Sequence, residues 1–340
     1  MKKMKAVQVS KPGAGFEIVE RDVPAPKENE VLIRVQACGI CHGDALALEG
    51  NYPGLKYPII PGHEVVGIIE SVGSLDAKIW HPGQRVGVGW HGGHCGQCMA
   101  CQRGDTWNCE QSLTTGLSCD GGYAEYMIAR KEAVFSIPQE YSSVQAAPLL
   151  CAGNTVFGAL KNCGAKGGEI VAVAGIGGLG HLAIQYARKL GYKTVALSRG
   201  QDKKPLALEL GAHVHLDTSS GQAAKELQKL GGAQVILCTA PNSKLISELL
   251  PGLARGGKMI IVSFSRGVIE IPHYLLLGGT CSISGWVGGR VDEALHFSAL
   301  VGVKPMIEEF PLARVEEAFK KMMDSTVHFR AVLTMGDQHV

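Results

Sequence analysis

Residues 169–198, EIVAVAGIGGLGHLAIQYARKLGYKTVALS, restrict the possible folds more than any other stretch. A β-branched apolar run leads into a glycine-rich turn. Apolar residues then recur at helical spacing (Leu179, Leu182, Ala183, Tyr186, Ala187, Leu190), Gly191 is placed to end the helix, and a second apolar run follows. The strand-like runs HVHLD, AQVILCTA and KMIIVSF continue the series, with helical patterns in KPLALELG and SKLISELLPGLARGG. This is a βαβ succession, and it predicts a mostly parallel sheet.

Within it, Gly175, Gly177 and Gly180 have G-x-G-x-x-G spacing, after a strand and at the opening of a helix. The first glycine permits the turn, the second lets a pyrophosphate approach the backbone, and the third allows helix and strand to pack closely. Ile176, Gly178 and Leu179 complete the loop, and the helix N-terminus supplies N–H groups and partial positive charge. At the end of the next strand an acid would bind ribose hydroxyls and repel a 2′-phosphate. Ser198 stands there instead, followed by Arg199, with Lys203 and Lys204 nearby. A small hydroxyl beside cations favours NADP(H) over NAD(H).

The chain has 340 residues, more than one hydrophobic core usually serves, so two domains are expected. Residues 1–150 read as short strands bounded by Gly or Pro (KAVQV, EVLIRVQA, VVGIIESVG, RVGVGW, YAEYMIA), with HPGQRV turning one strand back on the next. They suggest a closed or folded-over sheet. A net charge of +2 offers no electrostatic reason for a nucleic acid or anionic membrane partner. MKKMKAVQVSKPG lacks the apolar core of a signal peptide, and no apolar run reaches the ~18 residues of a membrane span, so a cytoplasmic protein is expected.

Eleven cysteines, an odd number, suit thiols or metal ligands in a reducing compartment. Cys95, Cys98, Cys101 and Cys109 stand in HCGQCMACQRGDTWNC. Their gaps suit four-thiolate zinc, which leaves no open coordination position and is therefore structural. Iron–sulfur motifs that begin with the same spacing place the fourth cysteine closer and follow it with proline; here Glu110 follows Cys109.

Taken together and in order, Cys41 in CGICHGD, GHE at 62–64, the four-cysteine lobe, GGYAEY at 121–126, CAGNTVFGAL at 151–160 and GIGGLG at 175–180 resemble the zinc-dependent alcohol dehydrogenases of the medium-chain dehydrogenase/reductase family, above all the bacterial and cinnamyl-alcohol-dehydrogenase-like branches. The resemblance implies an α/β protein. A β-rich GroES-like catalytic domain would span 1–153, with its metal lobe at about 90–112. A Rossmann cofactor domain would span 154–291, and 292–340 would return to the catalytic domain. It implies a catalytic zinc on Cys41, His63 and Cys151, with a fourth position for water or substrate oxygen. Glu64 would lie near that zinc and replace the water transiently, and Asp44 would orient His63 through its other ring nitrogen. With the lobe, two zinc ions per chain are expected. His42 and Arg330 match positions that contact the pyrophosphate, Thr155 one beside the nicotinamide, and Trp90 one bordering the substrate pocket.

The activity so implied is reversible hydride transfer between a primary alcohol or its aldehyde and NADP(H). A specialised ketone or imine reductase, or a non-catalytic cofactor-binding sensor, are the alternatives on the same scaffold. One departure is plain. Many relatives relay the alcohol proton through Ser or Thr two residues after the first ligand and a His three residues further; this chain has Gly43 and Leu46. The expectation is water in the room that Gly43 leaves, or space for a bulkier substrate. CSISGWVGGR, 281–290, matches a strand that pairs with its twin, so a homodimer or homotetramer is expected.

Overall fold

The computed structural model describes residues 2–74 and 79–336. They form two compact units, one of Met1–Cys151, Val291–Ala299 and Pro305–Val340, the other of Ala152–Arg290 and Leu300–Lys304.

The first unit is built on the strand Glu30–Gly39, whose one face (Val31, Ile33, Val35, Ala37) is apolar and buried while the other carries the half-buried Glu30, Arg34 and Gln36. Along one edge it pairs antiparallel with Glu64–Val72. Its other edge is shared: Tyr126–Arg130 takes residues 30–34 and Arg330–Thr334 takes residues 37–39. Arg85–Val88, Val134–Ser136 and Ile307–Pro311 complete this sheet. Bulges at Leu32/Ile33 and Val35/Ala37 add twist. Ile33, Val35, Val65, Ile69, Val86 and Leu333 are among the fully buried residues of its core. The strands flanking HPGQRV pair antiparallel.

The second unit is a six-stranded parallel sheet in the order Val214–Asp217, Lys193–Ser198, Ile170–Ala174, Ala233–Cys238, Leu253–Ile261, Ser282–Gly285. The order reverses direction beside Ile170–Ala174, which puts the glycine turn at the C-terminal end of a central strand, where doubly wound sheets bind ligands. The helical pattern read through SKLISELLPGLARGG stops early. The helix spans Ser243–Leu249, capped by Asn242 Oδ1 accepting from Leu245 N–H at 3.0 Å, and LARGG already belongs to the strand Leu253–Ile261. Pro251 cannot continue an α-helix, and the glycines after it open the strand.

The third glycine of the turn has no room for a side chain. A Cβ on Gly180 would lie 1.9 Å from Gly175 O. Gly180→Ala should therefore cost about 2 kcal/mol or more and lower the melting temperature by several degrees in a thermal scan followed by circular dichroism.

Candidate functional site

Strand register explains how residues distant in sequence meet. Gly39 pairs with Glu64 on one side and with Val332 on the other. Cys41 therefore leaves the end of one strand, His63 and Glu64 sit at the head of the next, and Arg330 opens the third. Cys151 follows the 3-10 turn Ala147–Leu150. One donor atom from each of Cys41, His63, Glu64 and Cys151 lies within 4.8 Å of the others, and the two sulfurs are 3.9 Å apart.

Asp44, 2 % exposed, organises this group. Its Oδ2 accepts from Cys41 N–H at 2.9 Å and from Tyr123 O–H at 2.8 Å, while Oδ1 faces His63 Nδ1 at 2.8 Å. The carboxylate thus engages Nδ1 and leaves Nε2 as the nitrogen available to a metal; Nε2 is buried without a hydrogen-bond partner. Glu64 Oε1 accepts from Arg330 Nη2 at 2.5 Å, and Oε2 has no hydrogen-bond partner. Burial pushes the Glu64 carboxyl up to about 7, against the pull of Arg330. Hydrogen bonding between the thiols holds Cys41 well below its usual range and pushes Cys151 up.

The sulfurs of Cys95, Cys98, Cys101 and Cys109 converge equally closely. Backbone N–H groups of Cys95 and Gln111 donate to Cys109 Sγ, and that of Cys98 to Cys95 Sγ, each at 3.3 Å. Backbone donors at Cys101 and Glu110 lower the Cys98 thiol to about 6. Beside this cluster His91 Nε2 and His94 Nδ1 lie 3.0 Å apart, so these two rings meet each other.

In the second unit, a Cβ on Gly177 would meet nothing within 4 Å, whereas Gly175, at φ +107°, has Ala240 and Thr239 against it. The backbone at Gly177 is thus open to a ligand at the start of the helix Gly180–Lys189. His181 Nδ1 lies 2.8 Å from Gly177 O and braces the turn. Thr155 is buried in the helix Ala152–Lys161. Ser198 ends its strand half-buried and Arg199 beside it is exposed. Lys203 Nζ donates to Ile176 O at 2.8 Å, anchoring the lysine to the glycine loop.

Two family profiles match the chain: "Alcohol dehydrogenase GroES-like domain" over 27–139 and "Zinc-binding dehydrogenase" over 178–301. Alcohol dehydrogenase patD of Penicillium expansum is 45% identical over 326 residues, 95% of each chain. The chain belongs to the zinc-type medium-chain alcohol dehydrogenases. Among solved structures, a cinnamyl alcohol dehydrogenase from Sorghum bicolor superposes with a TM-score of 0.87 at 27% identity, covering 98% of both chains. The CAD of Helicobacter pylori, complexed with NADP(H), gives 0.88 at 27% identity and 99% coverage of both.

Zinc and a nicotinamide cofactor come with this alcohol dehydrogenase family, and the residues fit them. Two sulfurs, a bare imidazole nitrogen and a bare carboxylate oxygen converge where no protein donor satisfies the last two, a set suited to zinc. The open backbone at Gly177 fits a pyrophosphate.

The expected room at Gly43 does not exist. A Cβ there would fall 2.6 Å from Trp90 Cζ3 and 3.2 Å from His63 Cε1. The indole has taken the space, standing edge-on to His63 with ring centroids 4.7 Å apart and to Tyr52 at 6.5 Å. Neither a water nor extra substrate volume belongs at that point.

Sequence reading missed Tyr123 and Gly39. Tyr123 lies in the GGYAEY motif, and the signal was the glycines before it. N–H groups of Gly121, Gly122 and Tyr123 donate to carbonyls of Ile60, Gly62 and Pro61 at 2.7, 2.9 and 3.0 Å, which aims the phenol at Asp44. A Cβ on Gly39 would lie 1.9 Å from Glu64 Oε2.

Two outcomes follow from this geometry. Asp44→Asn should weaken metal affinity at the Cys41 cluster about 10–100-fold in chelator competition, with the four-cysteine lobe unchanged. Gly43→Thr should cost about 1–3 kcal/mol in denaturant unfolding, and most of that loss should disappear in a Trp90→Leu background.

Proposed function

We propose that this alcohol dehydrogenase interconverts primary alcohols and aldehydes with NADP(H), using one zinc at Cys41, His63 and Cys151 and a structural zinc at Cys95, Cys98, Cys101 and Cys109. The observation that carries the catalytic part is the convergence of Cys41, His63 and Cys151 with an unpartnered His63 Nε2. Zinc bound there acts as a Lewis acid on the alcohol or carbonyl oxygen. Asp44 keeps the imidazole in the ligating tautomer, and Tyr123 keeps Asp44 in place. Glu64 serves as a reserve donor through Oε2, with Arg330 balancing its charge. Trp90 walls the metal-facing side and keeps water from His63. Gly43 and Leu46 offer no proton relay, so the alcohol proton leaves by a route other than these positions.

Gly175, Ile176, Gly177, Gly178, Leu179 and Gly180 are assigned to the pyrophosphate, together with His42 and Arg330, and Thr155 to the nicotinamide. The NADP preference rests on Ser198, Arg199 and Lys203. Burial and the neighbouring Arg199 charge lower the Lys203 pKa, and a 2′-phosphate bound near these cations would relieve that repulsion. The NADP(H) complex of the Helicobacter relative supports the same choice. A flat aromatic wall at Trp90 favours allylic or aromatic substrates.

The chain is assigned to the cytoplasm as a homodimer or homotetramer, without nucleic acid or membrane partners. None of its cysteines is in a disulfide, and no helix among the described residues is long and apolar enough to cross a membrane. Leu277 and Val287, 76% and 72% exposed, flank the edge strand Ser282–Gly285, apolar surface that a twin strand would cover.

Initial rates with cinnamaldehyde and an aliphatic aldehyde, followed at the reduced-nicotinamide absorbance, test the reaction. Aldehyde-dependent NADPH oxidation well above that of NADH is expected; a preference for NADH overturns the cofactor assignment. Val287→Lys should shift the protein toward monomer in light scattering, and an unchanged mass overturns the edge-strand assembly.

A further inference from the structure

His215 was not singled out by any motif. It lies on Val214–Asp217, the outer strand next to Lys193–Ser198. Its Nε2 is 2.8 Å from Ser198 Oγ, and its Nδ1 is buried with no hydrogen-bond partner. The residue is 8% exposed. The loop beyond Ser198 is fixed independently: Asp217 Oδ1 accepts from the N–H groups of Gly200 and Ser219 at 2.8 Å and from the Ser219 hydroxyl at 2.7 Å. Asp217 lies in register with Ser198, and its Oδ1 is taken up by these loop donors.

The remaining question is which way the Ser198 hydroxyl points its proton. Two neutral tautomers of His215 satisfy the 2.8 Å contact. With the proton on Nδ1, the serine donates to Nε2, and a buried N–H is left without an acceptor. With the proton on Nε2, the imidazole donates to the serine, and only a lone pair is left unpartnered. Orphaned buried donors are rarer than under-satisfied acceptors, which selects the second arrangement. Burial lowers the His215 pKa, with Lys204 adding to the effect and Asp217 opposing it, so the ring is neutral at pH 7.

We propose that His215 sets cofactor specificity through Ser198: its Nε2–H donates to Ser198 Oγ and turns the hydroxyl proton outward, so that position 198 presents a donor to the acceptor oxygens of a 2′-phosphate. This rests on the NADP reading above. A ribose 2′-hydroxyl supplies its own proton and gains less from an outward donor, whereas a phosphate has only acceptors to offer. His215 is thus a positioning residue, acting through Ser198 and backed by the charges of Arg199 and Lys203.

Dissociation constants for NADPH and NADH, from fluorescence titration of the full-length protein, test it without turnover. In the parent, NADPH should bind more tightly. His215→Leu removes the donor and should weaken NADPH about tenfold while leaving NADH within about twofold. His215→Gln, whose amide N–H reaches the same oxygen, should recover most of the loss. Ser198→Ala should weaken NADPH by a similar factor and serves as the test if the leucine variant does not fold. Equal weakening of both cofactors by His215→Leu, no rescue by glutamine, or unchanged NADPH binding in Ser198→Ala overturns the proposal. A parent that binds NADH at least as tightly overturns the NADP reading itself; a parent that prefers NADPH but is indifferent to His215 leaves that reading standing and removes only this inference.

Discussion

The first unit depends on one buried carboxylate. Asp44 accepts from a backbone N–H and a phenol and braces an imidazole, all within 2.9 Å. A carboxylate so far from water is tolerable only when its lone pairs are filled, and each partner comes from a different part of the chain. The Cys41 N–H fixes the turn after a strand, His63 fixes the head of the next, and Tyr123 ties in the glycine segment that hydrogen-bonds to residues 60–62. The metal-ligand geometry is therefore a by-product of satisfying Asp44. Glycines make the approach possible: Gly62, at φ +98°, lies so close under the Tyr123 ring that a Cβ would be 2.3 Å from Cδ1.

What could be read from the sequence was chemistry concentrated in local spacing. The four cysteines of the lobe fall within 95–109 and the three glycines of the turn within 175–180, so in each case local spacing carries the geometry. The parallel sheet was legible for the same reason, as a succession of local patterns. Contacts made by register were not. Nothing adjacent to Gly39 in sequence announces the Glu64 carboxylate against it, and nothing near Ser198 announces a histidine on the neighbouring strand. The helix extended in reading through Pro251 failed for a different cause: periodicity was weighed above a residue that removes a backbone donor.

Gly43 shows how a local reading can miss the physical outcome. Removing a side chain suggests a void, yet interiors are close-packed, and a neighbour fills the space wherever one can reach it. Trp90 does so here and meets His63 edge to face. The exchange replaces a polar residue near the ligands by an aromatic edge. It stiffens the imidazole and dries its surroundings, and it gives up a hydroxyl. A larger residue at position 43 therefore requires the Trp90 ring to move, which couples the two positions energetically.

The two units oppose each other in electrostatic character, and burial decides what each difference is worth. The Cys41 cluster sets two half-buried thiols and two fully buried carboxylates, Asp44 and Glu64, near a single buried guanidinium, so a cation held there would contribute to folding as well as to chemistry. A change of ligand there disturbs a low-dielectric balance that includes Arg330 and Asp44. Around Ser198 the sign is reversed: Arg199 is an exposed cation, screened by salt within a Debye length of about 8 Å, and Lys203 lies beside it, partly desolvated and tethered through Nζ to Ile176 O. Exchanging one of them is expected to alter cofactor affinity by modest increments and to leave the strand ends in place. The donor cluster at Cys41 is thus fixed by the fold, while on the proposed reading the choice between a ribose hydroxyl and a phosphate would rest with side chains that can change without disturbing it.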